Sequence, residues 1–246
     1  MKKLILTNTY DVCQSGEPKL CVVMIHGIAS DSTTYNEAHE YFEANESVKD
    51  IRFVKLDLLG AGLSLKDDSL NYDYDEQLTA LRNAILELKS NVPLVLVGHS
   101  LGTFIVTRYA SIYPKDVAKL ILISPPIYTE KDYDNPLFLL GMEAFKKSIA
   151  ARNADILKEK AFINSMENIV MDRKNYGVLA KIKVPTTIIY GKDDKLIASH
   201  NIPQLLKENS NITAIRTSGT MVFLSCTKEQ ELHSLKIGRA SCRERV

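Results

Sequence analysis

Five short apolar runs punctuate the chain, and each ends on a small or polar residue. Leu20-Cys21-Val22-Val23-Met24-Ile25 stops at His26-Gly27. Ile51 to Leu56 stops at Asp57, and Leu94-Val95-Leu96-Val97 at Gly98. Leu120-Ile121-Leu122-Ile123 stops at Ser124-Pro125-Pro126, and Thr186-Thr187-Ile188-Ile189-Tyr190 at Gly191. Runs that are short, β-branched and apolar on both faces predict buried parallel strands rather than half-exposed antiparallel ones. Between them the period changes. Tyr74, Leu78, Leu81, Ile85 and Leu88 recur at steps of four and three, one face of an amphipathic helix, with Asp73 or Asp75 as its cap. Leu101 to Ile112 reads as a second helix, stopped by Pro114. Strand and helix in alternation predict an α/β fold: a mostly parallel central sheet flanked by helices on both faces.

One stretch breaks the rhythm. Ile127 to Gly177 lies between two strands and is far longer than the usual connection of about 2–6 residues. Its pattern is mostly helical. Pro136, Gly141 and the apolar Leu137, Phe138, Leu139, Leu140 and Phe145 suit a small separate layer. The expectation is a single domain over residues 1–236, with a helical lid at about 127–177, part of whose Leu137–Phe145 stretch lines the pocket.

The 246 residues include 45% apolar and 25% charged, and 31 basic against 30 acidic side chains leave a net charge of +1. That balance gives no reason to expect nucleic acid or an anionic membrane as partner. No apolar run approaches the ~18 residues that span a bilayer. The N-terminal apolar stretch is shorter than the about 7–15 residues of a secretory leader, so a cytoplasmic location is expected. Cys13, Cys21, Cys226 and Cys242 show no C-x-x-C spacing, which reads as free thiols with neither a metal site nor a disulfide framework.

The candidate chemistry falls at strand ends, where open α/β sheets bind their ligands. Gly98-His99-Ser100-Leu101-Gly102 follows a strand and opens a helix, so Ser100 is the candidate nucleophile. Small residues on either side let a serine occupy a tight strand-to-helix turn. The Leu101 N–H at the helix start then faces a developing oxyanion. His26-Gly27-Ile28-Ala29-Ser30 offers a second donor, the Ile28 N–H, while His26 reads as a loop-bonding histidine. In Asp57-Leu58-Leu59-Gly60-Ala61-Gly62-Leu63-Ser64 no helix follows and the spacing of a dinucleotide loop is lacking. Asp57 therefore reads as a loop brace. Gly191-Lys192-Asp193-Asp194 carries two adjacent aspartates, either of which is placed to orient a histidine base.

H-G-x-x-x-S, D-x-x-G-x-G-x-S, G-H-S-L-G and G-x-x-D, in this order from about Leu20 to Gly219, resemble the α/β-hydrolase superfamily, in particular its small lidded esterase, lipase and peptidase-type members. The resemblance implies Ser100 as nucleophile, Ile28 and Leu101 as oxyanion donors and Asp194 as triad acid. It implies no cofactor, and a small-molecule acyl ester, thioester or amide as substrate. The chain departs from the pattern at the base. After the last expected strand, Asn211 to Arg216, come Thr217-Ser218-Gly219-Thr220-Met221-Val222-Phe223, with Thr220 about where the histidine belongs. His39 and His200 read as helix-surface residues, and His99 points away from its neighbour's hydroxyl. His233 keeps the order Ser, Asp, His but falls in an expected helix, Lys228 to Leu235. Residues 237–246 have no apolar periodicity and resemble a translated sequencing adapter, so they are expected to be non-native. If the Thr220 codon ends in C, reading one base earlier turns Met-Val into His-Gly. Two classes follow: a serine hydrolase, impaired as written, or a catalytically inactive hydrolase-fold protein that binds a ligand.

Overall fold

A computed structural model describes residues 3–150, 159–194 and 196–218. Among these residues seven strands form one sheet: β1 (Thr7–Val12), β2 (Leu20–Ile25), β3 (Ile51–Asp57), β4 (Leu94–His99), β5 (Lys119–Ile123), β6 (Thr186–Gly191) and β7 (Ile212–Thr217). Their order is β1-β3-β2-β4-β5-β6-β7. Strands β2 to β7 run parallel, and β1 alone pairs antiparallel, along the outer edge of β3. The chain steps outward from β2 to β3, then crosses back to β4. That reversal leaves the ends of β2 and β4 side by side, with Ile25 opposite Gly98. It is the topological switch point at which such sheets form a cleft.

The helices are α1 (Asn36–Ala44), α2 (Tyr74–Glu87), α3 (Leu101–Ile112), α4 (Glu130–Tyr133), α5 (Pro136–Ala150), α6 (Glu159–Ser165), α7 (Asn175–Ala180) and α8 (Ile202–Glu208). Alternate strand positions feed two apolar layers. Val23, Ile25, Val54, Leu56, Leu96, Leu120, Leu122 and Ile188 face α2 and α3, while Val22, Met24, Phe53, Val95, Val97, Ile121, Ile123 and Ile189 join Tyr35 and Phe42 on the other side. This two-sided burial explains why β2 to β6 read as continuous apolar runs. At the start of α2 the Asp73 carboxylate accepts the Glu76 N–H at 3.1 Å, so Asp73 rather than Asp75 is the cap. The connection from β5 to β6 holds α4 to α7, with one π-helical turn at Met166–Val170 directly after α6. No helix among the described residues is long and apolar enough to cross a membrane.

Candidate active site

Ser100 joins β4 to α3 with φ 48° and ψ −114°. A positive φ is costly for any residue with a Cβ, and glycine would avoid the cost. The turn closes because its neighbours lack side chains. A methyl group on Gly98 would lie 2.6 Å from the Gly102 carbonyl, and one on Gly102 would lie 2.3 Å from the Ile25 oxygen. The α3 N-terminus is thereby pressed onto the end of β2. The loop after β2 lies against the serine: a methyl on Gly27 would stand 3.2 Å from Ser100 Cβ and 2.9 Å from His99 Nδ1. Ile28 and Leu101 border a common pocket with Ala29, Leu58, Leu59, Ala61, Gln77 and Ser165.

The surrounding polar groups hold these loops in register. His26 is buried, its Nε2 accepts the Leu58 N–H at 3.0 Å, and its Nδ1 lies 2.7 Å from the Gly27 carbonyl. It thus clips the end of β3 to the loop after β2, the loop-bonding role expected of it. Burial holds its pKa below the ordinary histidine value. Burial and the neighbouring His26 lower that of His99 to about 4. Asp57 is the expected brace, accepting the Ser32 and Leu63 N–H groups, each at 2.8 Å. His39 is engaged elsewhere, stacked on Tyr10 and 2.7 Å from Lys55 Nζ, and His200 sits at the surface 3.2 Å from Asp132.

The two adjacent aspartates separate. Asp193 is exposed, whereas Asp194 is 6% exposed. Asp194 Oδ1 accepts the Leu196 N–H at 2.9 Å, and its Oδ2 is buried with no hydrogen-bond partner among the described residues. An unpaired buried carboxylate oxygen is costly, and a donor brought to it lowers that cost. β6 and β7 are neighbours, and the Lys192 N–H donates to the Thr217 carbonyl at 3.0 Å. The chain therefore leaves β7 beside the Asp194 loop. Thr220 and His233 lie outside the described residues, as does the tail at 237–246.

The β5–β6 insertion meets the site through a different stretch from the one the apolar pattern suggested. Leu137, Leu139 and Leu140 are exposed. Phe138 stacks edge-on against Tyr128 at 4.7 Å, and Met142 Sδ lies 3.8 Å from the Tyr128 hydroxyl, which donates to the Leu196 carbonyl. This part of α5 thus braces the acid loop. Ser165, at the end of α6, is the insertion residue that shares the pocket of Ile28 and Leu101. Gln77 was equally hidden from sequence reading. It is buried on α2 and clamps Leu59, accepting its N–H at 3.1 Å and donating to its carbonyl at 3.0 Å. Nothing in the helical pattern marks either polar residue as facing a pocket.

A mostly parallel sheet with a strained serine between its central strand and the next helix defines an α/β-hydrolase. Residues 16–175 match the family described as serine aminopeptidase, S33, and the chain belongs to that family. It is 32% identical over 108 residues, 44% of its length, to "Probable lysophospholipase BODYGUARD 1" of Arabidopsis thaliana, of which the match covers 23%. It is 26% identical to "Lipase 1" of Psychrobacter immobilis over 78% of the chain and 67% of that protein. A lipase-esterase related protein from Clostridium acetobutylicum superposes with a TM-score of 0.66 at 20% identity, over 89% of this chain and 93% of that one, a likeness of fold.

Proposed function

We propose that the protein is a serine hydrolase that cleaves a small carboxylic ester, thioester or amide through an acyl-enzyme on Ser100. The observation that carries this reading is the backbone of Ser100, a non-glycine residue held at φ 48° in a turn whose close approaches at Gly98, Gly102 and Gly27 leave no room for a Cβ. Strain of this kind persists where the surroundings enforce it, and it points a short side chain out of the sheet edge. Lipase and lysophospholipase relatives support an acyl ester over other substrates.

In this mechanism Ser100 Oγ attacks the carbonyl carbon and its proton passes to a histidine base. The carbonyl oxygen becomes an oxyanion held by the Leu101 and Ile28 N–H groups, aided by the positive end of α3. Asp194 Oδ2 accepts the other imidazole N–H, the donor this buried oxygen otherwise lacks. The histidine then protonates the leaving group, and water releases the acyl group by the reverse sequence. Residues 127–177 act as the lid, bringing Ser165 over the oxyanion donors. The chain carries Thr220 at the expected base position, and a threonine hydroxyl takes no proton at neutral pH.

The test separates the serine from the missing base. In a Thr220→His variant a fluorophosphonate probe is expected to label Ser100, read by mass spectrometry of the digested protein. Ser100→Ala in that background is expected to abolish the label. A folded Thr220→His protein that labels at another serine overturns the assignment.

A further inference from the structure

We infer that Ser165 selects, within the acyl pocket of this hydrolase, a short acyl group bearing a hydroxyl or similar hydrogen-bonding substituent. The inference rests on the Ser100 reading for the identity of the reacting centre, and on the pocket beside it for the selection. That pocket lies between the loop after β2, the loop after β3 and α6. Ile28, Leu58, Leu59, Ala61 and Leu101 give it an apolar wall. Gln77 lies at its base with its amide held at both ends by Leu59. His26 and Ser30 line it on the side of the β2 loop, and this pocket bordered by the oxyanion donors is assigned to the acyl group, which stays on the serine through the intermediate while the leaving group needs an exit.

Ser165 is the polar exception on the α6 side. Its residue is 4% exposed, yet its hydroxyl hydrogen-bonds none of the described residues. The hydroxyl faces the pocket it lines, so a substrate atom that bonds it is favoured over a methylene, which would displace its solvent without replacing the hydrogen bond. Its position is fixed by its helix. Lys160 Nζ donates to the Asp68 carbonyl at 2.6 Å and Asn164 Nδ2 to the Asn71 carbonyl at 2.8 Å. Ala161, one turn before Ser165, is packed so closely that a methyl on Gly60 would meet its Cβ at 2.4 Å. The π-helical turn that begins at Met166 follows immediately, an irregularity often found at functional sites.

The chain as written is suited to the test, because without a base it binds an ester at equilibrium with little turnover. Methyl butyrate and methyl β-hydroxybutyrate differ by one hydroxyl. Their affinities are measured by ligand-observed NMR or calorimetry. The hydroxy ester is expected to bind about five- to tenfold more tightly. Ser165→Ala is expected to erase the preference while leaving the thermal midpoint unchanged, since the hydroxyl bonds no described residue. Ser165→Cys, a close isostere with a weak donor, is expected to lose most of it. Equal affinities in the unmodified chain, no saturable binding of either ester, or a preference that survives in Ser165→Ala overturns the inference. Labelling of Ser100 in Thr220→His reports the nucleophile independently. Labelling without ester preference removes the Ser165 inference alone, and preference without labelling removes the Ser100 reading alone.

Discussion

At Ser100 stability and the proposed chemistry pull in opposite directions. The residue sits at φ 48° with a Cβ, a conformation costing on the order of 1–3 kcal/mol. Ser100→Gly relieves that strain, so it is expected to raise unfolding stability by about 1 kcal/mol in urea while removing any serine-directed label. Ser100→Ala keeps the Cβ and is expected to leave stability nearly unchanged. A Ser100→Gly protein less stable than the parent would show that the turn is not strained. The opposite holds at Gly102, where a methyl group meets the Ile25 oxygen at 2.3 Å, backbone that has no flexible end to swing away. Gly102→Ala is expected to cost about 3 kcal/mol, measured by the same urea midpoint. An unchanged midpoint would mean that α3 is not pressed onto β2. The candidate nucleophile was legible because small residues flank a serine right after an apolar run, a pattern the turn's geometry requires. The choice between Asp193 and Asp194 was not legible from the turn itself, since both suit it. Only the fold buries one and exposes the other.

Among the elements, the inner strands could be read because burial on both faces leaves no polar position to blur the run. β1 escaped the same reading. Thr-Asn-Thr-Tyr-Asp-Val is half-exposed on the sheet edge, and its pairing with β3 is irregular between Asn8 and Tyr10. An edge strand tolerates polar residues on its outer side, so the apolar pattern that marks β2 is missing. Three histidines carry a pH signature. Burial lowers the pKa of His26, His39 and His99, with Lys55 adding to the effect at His39 and His26 at His99, which falls to about 4. Each folded-state value lies below the unfolded value of about 6.5, so the unfolded chain binds more protons between the two. Stability is therefore retained at neutral pH and lost as pH falls from about 6.5 towards 4. His99 alone accounts for roughly 3 kcal/mol of that loss. Protonating His26 also removes the acceptor for the Leu58 N–H, releasing the clip between the ends of β2 and β3. Urea unfolding at pH 7 and pH 4.5 is expected to show the drop, and His39→Gln is expected to reduce it. A midpoint that does not move with pH would mean that these histidines are not held neutral in the fold.

The whole molecule gathers its candidate groups at one edge of one sheet. Loops from β2, β4 and β6 bring Ile28, Ser100 and Asp194 there, and β7 delivers the chain to the same edge beside Asp194. The family pattern puts the base shortly after β7, and the sequence has Thr220 about where it is expected. In a serine triad, losing the histidine costs on the order of a million-fold in kcat, while the oxyanion donors and binding retain about 10³–10⁴ over water. The written chain is thus expected to hydrolyse p-nitrophenyl acetate and butyrate at a rate that Ser100→Ala scarcely lowers. Thr220→His is expected to raise kcat by at least about a hundredfold, a fraction of the full loss because a single substitution supplies the base without optimising its orientation. The gain should disappear with Ser100→Ala and fall sharply with Asp194→Asn, which takes the negative charge from behind the imidazole. A pH profile adds a second check: the gained activity should rise with pH through the pKa of the new histidine, since only the neutral imidazole accepts the Ser100 proton. If the written chain turns over as fast as Thr220→His and Ser100→Ala abolishes both, another side chain serves as base. His233→Gln is then the decisive variant, because His233 follows Asp194 in the order of the triad, while His200, which also follows it, sits at the surface against Asp132. Loss of turnover in His233→Gln would move the base from the end of β7 into the residues beyond it.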